Sequence, residues 1–260
     1  MVKPKKHLGQ HFLNNPFIAQ KIVDYFISLS KYFSIEIGAG TGVLTEKLIQ
    51  HFNSNEFIAI DIDKESIDYL IKKFPDHQHQ FLLEDFLSSV IIQNILSSRK
   101  VNIIGNFPYN ISSQIMFKVL EHKNNVENVV GMFQKEVAQR ICSPPGNKDY
   151  GILSVLLQTY YNTQYLFTVK EGHFTPPPKV QSAVISLERK VQTEYILNEK
   201  LFFEIIKISF QQRRKTLRNS LSKYRDFLLY ADKRPEQLSF IQFIEIANKI
   251  EENLNFKNSI

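Results

Sequence analysis

The sequence repeats one pattern four times: a short apolar run, then a glycine, an acid or an amide, then residues at helical spacing. The runs are 34–37, 57–60, 80–83 and 101–104. Apolar runs of this length that alternate with helical patterns predict buried strands joined by crossover helices, as in a parallel α/β sheet. Ligands of such sheets bind at the carboxyl ends of the strands. We therefore expect the polar residues that end the four runs to form one site.

The first run leads into a glycine-rich turn, Gly38-Ala39-Gly40-Thr41-Gly42. Alternating glycines allow a sharp turn from strand to helix and the close approach of a ligand. A nicotinamide dinucleotide enzyme has a similar turn, but with Gly-x-Gly-x-x-Gly spacing. Glu36 stands just before the turn, where its carboxylate would repel a pyrophosphate. The same carboxylate suits S-adenosylmethionine, which carries an ammonium and a sulfonium, so Gly38 and Gly40 are candidates for binding it.

Acidic residues end the next two runs. Asp61 comes about twenty residues after the glycines, where an acid can accept both ribose hydroxyls of a nucleoside. It can equally cap the helix that begins near Lys64, a role for which Asp63 competes. Asp85 follows the third run and can accept from an adenine amine or cap the segment 87–96. The residues alone leave both alternatives open.

The fourth run ends in the turn Asn106-Phe107-Pro108-Tyr109. The Asn106 side-chain oxygen and a backbone carbonyl near Phe107 or Pro108 can accept the two N–H bonds of an exocyclic amine on a flat ring. Pro108 has a fixed φ that directs the neighbouring carbonyls, and Tyr109 offers a face for stacking. The alternative is an ordinary strand-to-helix turn. We favour a site, because the glycine turn, the two acids and this turn end successive strands.

Three consecutive prolines, Pro176–Pro178, stiffen a loop between two predicted strands, 165–169 and 180–187. These strands are expected to form an antiparallel pair at the edge of the sheet. Phe174 precedes the prolines and could form the second wall of a sandwich around a flipped base, opposite Tyr109. Its alternative place is the hydrophobic core.

The composition limits the class of protein. Cys142 is the only cysteine, which excludes an intrachain disulfide and a multi-cysteine metal site. The histidines show no ligand spacing, so no metal is expected. No signal peptide or membrane-spanning run is visible, and we expect a cytoplasmic protein. The formal net charge of +6 favours a polyanionic partner.

Two segments concentrate the positive charge. The N-terminal arm carries Lys3, Lys5 and Lys6, which could lie along phosphates or simply be solvated. The segment 210–225 carries six cations and no acid: Arg213, Arg214, Lys215, Arg218, Lys223 and Arg225. Uncompensated cations at this density predict polyanion binding that depends steeply on salt.

The character of the sequence changes after Lys190. Strand patterns stop, and helices are predicted over 198–210, 216–221 and 239–254. We therefore predict two domains, 1–190 with the site and its basic arm, and a small all-helical domain over 191–260.

Five motifs together resemble the KsgA (RsmA) family of ribosomal small-subunit adenine dimethyltransferases. They are Leu8–Leu13, Glu36–Gly42, Gly105–Ser112, Phe174–Val180 and Phe210–Leu221, and the likeness runs nearly end to end. The resemblance implies a Rossmann-like class I S-adenosylmethionine-dependent methyltransferase sheet and a helical rRNA-binding domain. It also implies that the methyl donor contacts His11, Leu13, Gly38, Asp61, Asp85 and Asn106. Many relatives have Asn in place of His11, and a backbone contact would survive this change.

The reaction implied by the resemblance is transfer of two methyl groups to the N6 of each of two adjacent adenosines. These adenosines lie in the 3′-terminal hairpin of 16S rRNA, within the small ribosomal subunit whose biogenesis the enzyme serves, and we expect a monomer. Two alternatives remain. A 23S rRNA methylase of the antibiotic-resistance type is disfavoured by the segment 210–221. A non-catalytic assembly factor is disfavoured by the intact turn at Asn106 and the acids Asp61 and Asp85.

Overall fold

The structure, a computed structural model, describes residues 2–258, so Met1, Ser259 and Ile260 lie outside the described residues. The chain divides into two compact units. The first consists of Met1–Ala138 and Asn162–Arg189, and the second of Gln139–Tyr161 and Lys190–Ile260.

The predicted parallel sheet is confirmed. The strands are β1 Phe12–Leu13, β2 Phe33–Ile37, β3 Phe57–Asp61, β4 Phe81–Leu83, β5 Val101–Asn106, β6 Val126–Gln134, β7 Tyr161–Val169, β8 Phe174–Thr175 and β9 Ser182–Arg189. Within residues 2–258, seven of them form one sheet in the order β4-β3-β2-β5-β6-β9-β7. The pairs from β4 to β6 are parallel, and β9 is antiparallel to β6. The two strands predicted to pair near the edge, β7 and β9, are neighbours in this order, with β7 at the edge.

The strand order reverses between β2 and β5, which are parallel neighbours. A crevice forms at the carboxyl ends of strands at such a reversal, because the connections leave toward opposite sides. The register pairs Ile37 with Ile60 and Asp61 with Leu83. The ends of β2, β3 and β4 therefore lie at the same edge of the sheet. All five residues of β3 are buried, which explains its continuous apolar run.

The helices are α1 Pro16–Leu29, α2 Thr45–Leu48, α3 Lys64–Lys73, α4 Val90–Ser98, α5 Ser112–Glu121, α6 Lys135–Cys142, α7 Ile152–Tyr160, α8 Glu199–Gln211, α9 Leu217–Ser220 and α10 Phe240–Asn258. Short 3-10 helices span Lys6–Leu8, Pro75–Gln80, Glu171–His173, Ser222–Phe227 and Pro235–Gln237. The N-caps of α3 and α4 decide between alternatives that the sequence left open. Asp63 caps α3 by accepting from the Glu65 N–H, and Ser89 caps α4 by accepting from the Ile92 N–H. Asp61 and Asp85 are therefore not the N-caps of these helices.

A small sheet that the sequence did not predict ties the N-terminal segment to the proline-rich loop. β1 pairs with β8 in antiparallel register, with Phe12 opposite Thr175 and Leu13 opposite Phe174. Both Leu13 and Phe174 are 3 % exposed and belong to the hydrophobic core of the first unit. The pairing joins residues that are far apart in sequence, so no local pattern could indicate it.

The second unit is helical, and the three helices predicted after Lys190 are confirmed as α8, α9 and α10. Its compact unit also includes α7, which packs against α8 and α10. The predicted division into 1–190 and 191–260 placed α7 in the first domain instead. That residues 1–190 and 191–260 fold as separate domains stays a prediction. Within the described part of the chain, no helix has the length and hydropathy needed to cross a membrane.

Candidate active site

A pocket lies at the carboxyl ends of β2, β3 and β5. It is lined by residues 8–12, Gly38, Gly40, Asp61, Ile62 and 106–109. The pocket therefore brings together the glycine turn, the acid after β3 and the turn after β5, as expected from strand topology. Seven predicted site residues line it: His11, Gly38, Gly40, Asp61, Asn106, Pro108 and Tyr109.

The orientation of the Asn106 side chain is fixed by the N-terminal segment. Its Nδ2 donates a hydrogen bond of 2.8 Å to the backbone carbonyl oxygen of His11. A carbonyl oxygen can only accept, so the amide nitrogen must face His11. The Asn106 Oδ1 accepts no hydrogen bond from any described residue and remains available to a ligand.

Two backbone carbonyls follow Asn106 in the pocket wall. The Pro108 carbonyl accepts the Ile111 N–H at 3.2 Å, which uses one of its two lone pairs. No hydrogen bond among residues 2–258 uses the Phe107 carbonyl. The Phe107 ring is buried and contacts Phe133 edge to face, with ring centroids 5.1 Å apart. The buried ring anchors the turn, and the Phe107 carbonyl is the better candidate for the second acceptor.

The ring of Tyr109 contacts the His11 imidazole. The two rings are stacked with centroids 5.3 Å apart and an angle of 25° between their planes. The His11 Nδ1 lies 2.8 Å from the Pro176 carbonyl oxygen, and the Tyr109 hydroxyl is hydrogen-bonded to the Ser182 hydroxyl. Burial raises the pKa of Tyr109, and the Ser182 contact partly offsets this effect. An adjoining pocket, bordered by Pro176–Val180, shares both His11 and Tyr109 with the first pocket.

The glycine turn and two buried carboxylates fit a cationic nucleoside. Gly40 has a φ of +54°, and a Cβ at this position would lie 2.9 Å from the Phe12 ring. Glu36 is 1 % exposed, and its Oε2 has no hydrogen-bond partner among the described residues. Burial raises the pKa of Glu36 to about 8, and the Asp61 charge acts in the same direction. A nearby cation would favour the charged form of both acids.

Asp61 is held by backbone groups on both sides. Its Oδ2 accepts the Gly40 N–H and its Oδ1 accepts the Asp63 N–H, each at 2.8 Å. Burial raises the pKa of Asp61, and these two hydrogen bonds partly offset it. Each oxygen keeps a free lone pair, so the carboxylate can still accept from two neighbouring hydroxyls.

Two residues that were predicted to contact the methyl donor, Asp85 and Leu13, do not line this pocket. Asp85 is half-buried after β4, and its oxygens accept from the Leu87 N–H at 2.9 Å and the Ser88 hydroxyl at 2.8 Å. It therefore stabilises its own turn, and Ser89, not Asp85, caps the helix that follows. The Leu13 side chain lies in the core. Contacts of Asp85 and Leu13 with the donor stay predictions.

The structure differs from the expectation at Phe174. Its ring is 3 % exposed and packs in the hydrophobic core, because β8 pairs with β1 and directs it there. It does not line the pocket that contains Tyr109. As placed, the ring follows the core alternative, and a stacking wall would require it to turn.

The N-terminal arm also differs from the expectation. Lys5 forms an ion pair of 2.5 Å with Asp63 and lies 3.3 Å from Glu65. This contact holds the Lys5 ammonium against the turn that follows β3, so it is not free to bind a phosphate. Lys3 and Lys6 are exposed, and their contacts with phosphates stay a prediction.

The basic segment is partly compensated by acids that are distant in sequence. Arg218 pairs with Asp232 at 2.7 Å and Lys223 with Glu204 at 2.8 Å. Arg213 lies 3.9 Å from Glu236 and donates to the Lys148 carbonyl. The prediction of six uncompensated cations is therefore wrong for these three. Three others take part in no ion pair within residues 2–258 and are exposed: Arg214, Lys215 and Arg225.

Sequence reasoning missed the role of Gln10 and Asp63 beside the site. Gln10 lines the pocket and its Nε2 donates to Asp63 Oδ2 at 3.1 Å. The position of Gln10 next to His11 was the only signal that could have suggested it. Among the described residues, no group of three or more His, Cys, Asp or Glu side chains is arranged to hold a metal ion.

Comparison with known proteins gives a consistent result. A family model described as ribosomal RNA adenine dimethylase matches residues 1–251. The ribosomal RNA small subunit methyltransferase A of Flavobacterium johnsoniae is 50 % identical over 257 residues, covering 96 % of this chain and 97 % of that protein.

Solved structures agree on the fold. A dimethyladenosine transferase from Plasmodium falciparum is similar with a TM-score of 0.76 and 25 % identity, covering 95 % of this chain and 98 % of that one. The 23S rRNA methyltransferase ErmE has a TM-score of 0.68 and 21 % identity, covering 91 % and 99 %. The second likeness concerns the fold alone.

Proposed function

The chain belongs to the ribosomal RNA adenine dimethylase family, and from this premise we propose a specific reaction for it. The protein is an S-adenosylmethionine-dependent rRNA adenine methyltransferase with a class I methyltransferase fold. It transfers two methyl groups to the N6 of each of two adjacent adenosines in the 3′-terminal hairpin of 16S rRNA. Its substrate is the small ribosomal subunit, and the modification is part of rRNA processing and ribosome biogenesis.

The observation that carries this proposal is the fixed orientation of Asn106. With Nδ2 bound to the His11 carbonyl, Oδ1 accepts one N–H of the adenine amine, and the Phe107 carbonyl accepts the other. The lone pair of an aromatic amine is delocalised into its ring, which makes the nitrogen a poor nucleophile. Two acceptors on its protons favour a pyramidal nitrogen whose lone pair points away from the ring. Pro108 keeps these acceptors in a fixed direction.

The methyl donor supplies a carbon activated by a positively charged sulfur. The chain's own part is to bind and orient: Asp61 accepts from the ribose hydroxyls, and the backbone at Gly38 and Gly40 allows close approach. A bound cationic ligand favours the charged forms of Glu36 and Asp61, which then add negative charge beneath it. Asp85 accepts from the donor's adenine amine, and His11 and Leu13 contribute backbone contacts. Such positioning accounts for most of the catalysis expected for an in-line displacement.

The target adenosine leaves its stack to enter the pocket, which is easier from a hairpin loop than from a duplex. Tyr109 stacks on the extruded base, with Phe174 as the proposed second wall. Binding to the rRNA backbone comes from the exposed cations of both units: Lys3, Lys6, Arg214 and Lys215, with smaller contributions from Arg213 and Arg218, which are ion-paired. The protein acts as a cytoplasmic monomer in this proposal, and its mass in sedimentation equilibrium would test the oligomeric state.

Initial rates of methyl transfer from a labelled donor test the proposal. The substrates are small subunits that lack the dimethyladenosines, mature methylated small subunits, and large subunits. We expect transfer to the first and none to the other two. Transfer to large subunits would favour the 23S rRNA alternative, and tight binding without transfer would favour the assembly factor.

A further inference from the structure

The N-terminal arm contacts the site through the carboxylate of Asp63. Lys5 Nζ lies 2.5 Å from Asp63 Oδ1, and Gln10 Nε2 donates to Asp63 Oδ2 at 3.1 Å. The Lys5 N–H donates to Gln10 Oε1 at 2.8 Å, so the two arm residues also hold each other. Asp63 is only 2 % exposed. A carboxylate this deeply buried needs such donors to remain charged.

Asp63 is bonded in turn to Asp61. The Asp63 N–H donates to Asp61 Oδ1 at 2.8 Å, while the Gly40 N–H holds Oδ2. Two backbone groups therefore set the direction of the Asp61 carboxylate. One of these groups is the N–H of Asp63, the residue whose carboxylate contacts the arm. Hydrogen bonds therefore connect Lys5, through Asp63, to Asp61 in the pocket wall.

We infer that Lys5 is a positioning residue for the methyl donor. Through Asp63 it fixes the turn 61–63, so that the Asp61 carboxylate is aimed at the two ribose hydroxyls. This inference rests on the proposed function, in particular on the ribose role of Asp61. It replaces the phosphate-binding role that the sequence suggested for Lys5.

The pKa shifts of Lys5 and Asp63 support a stable ion pair between the two side chains. Burial alone would raise the pKa of Asp63, but the hydrogen bonds from Lys5 and Gln10 bring it below its ordinary value. The hydrogen bond with Asp63 raises the pKa of Lys5. Both groups therefore stay charged at neutral pH. The exposed Glu65 carboxylate is the second acid that faces Lys5.

The neighbouring Lys64 provides a matched control. It stands next to Asp63 in the sequence, but its ammonium pairs with Asp68 at 2.7 Å and is largely exposed. Lys64→Met removes a lysine and an ion pair from the same turn without touching the Asp63 carboxylate. Lys5→Arg keeps a cation within reach of Asp63.

Calorimetric titration of the full-length protein can test the inference with two ligands, S-adenosylhomocysteine and its 2′,3′-dideoxyribose analogue. We expect Lys5→Met to raise the Kd of S-adenosylhomocysteine roughly tenfold. The same variant should leave the Kd of the dideoxy analogue near the wild-type value. Lys5→Arg should restore most of the affinity, and Lys64→Met should match the wild type.

Three results would overturn the inference, and they separate it from the proposed function. Unchanged affinity in Lys5→Met, with affinity lost in Asp61→Asn, rejects Lys5 and keeps the ribose role. Equal losses for both ligands in Lys5→Met show that the arm does not act through the ribose hydroxyls. Full affinity for S-adenosylhomocysteine in Asp61→Asn removes the ribose role itself, and the inference fails with it.

Discussion

The side-chain amide of Asn106 donates a 2.8 Å hydrogen bond to the backbone carbonyl of His11. The N-terminal segment thereby orients the residue that binds the target amine in the proposed reaction. Because the contact uses the His11 backbone, it does not depend on which side chain stands at this position.

Replacing Asn106 should reduce the rate of methyl transfer far more than donor binding. Asn106→Ala removes one acceptor for the amine, and Asn106→Asp has no N–H to donate to the His11 carbonyl. We expect each to lower kcat by about 10²–10³-fold, the range found when one preorganised polar contact to a reacting group is removed. Single-turnover transfer to undermethylated small subunits measures it. Asn110→Ala, an exposed amide in the same turn, is the control, and a rate within tenfold of wild type for Asn106→Ala would contradict the assignment.

Two substitutions separate the core role of Phe174 from a stacking role. Phe174→Ala should destabilise the protein by about 3–5 kcal/mol, because it leaves a cavity in the core. Phe174→Leu refills most of that space and should cost about 1.5 kcal/mol. Denaturant unfolding gives both values. If the ring also turns to stack on the base, Phe174→Leu should raise KM for the small subunit. Wild-type kinetics in a stable Phe174→Leu would limit Phe174 to the core.

The salt dependence of subunit binding should follow the unpaired cations of the helical unit. The double variant Arg214→Gln, Lys215→Gln removes two exposed charges without a partner acid within the described residues. We expect the slope of log Kd against log salt to fall by about 0.7–0.9 for each charge lost. Lys223→Gln, whose ammonium lies 2.8 Å from Glu204, should change the slope less. Equal slopes for the wild type and the double variant would exclude Arg214 and Lys215 from binding to the rRNA backbone.

Stability should fall as pH rises because of the buried Glu36 carboxyl. Burial raises its pKa to about 8 from its ordinary value of 4.5, so the folded state holds a proton that the unfolded state has lost. The stabilisation that comes from the neutral, buried Glu36 carboxyl is complete below the pKa of this group in the unfolded state. It disappears as pH rises through the pKa of the group in the folded state. Between about pH 5 and 8, Glu36→Gln should flatten the decline in unfolding free energy by up to about 1.4 kcal/mol per pH unit. The exposed Glu252→Gln is the control, and identical pH profiles for Glu36→Gln and wild type would contradict a protonated Glu36.

Local patterns were enough to predict the parallel sheet and the grouping of Gly38, Asp61 and Asn106. Apolar runs mark buried strands, and strand topology alone brings their carboxyl ends together. The contacts of the N-terminal segment could not be predicted in this way. The pairing of Leu13 with Phe174 and the ion pair of Lys5 with Asp63 join residues that are distant in sequence.

The same limit explains the errors in the basic segment. No acid occurs between 210 and 225, yet Glu204, Asp232 and Glu236 approach its cations once the helices fold. The sign of a charge run is visible in the sequence, whereas its compensation depends on tertiary structure. Phe174 is a similar case, because its neighbours in sequence gave no preference between the core and the pocket.

The proposed function of this chain is the dimethylation of two adjacent adenosines of 16S rRNA. Its most direct test is to incubate the purified protein with a labelled methyl donor and undermethylated small subunits, then to map the product nucleosides by nuclease digestion and mass spectrometry. We predict two adjacent N6,N6-dimethyladenosines in the 3′-terminal hairpin, and none with Asn106→Ala. Methylation of other nucleotides, or monomethyladenosine as the only end product, would contradict the claim.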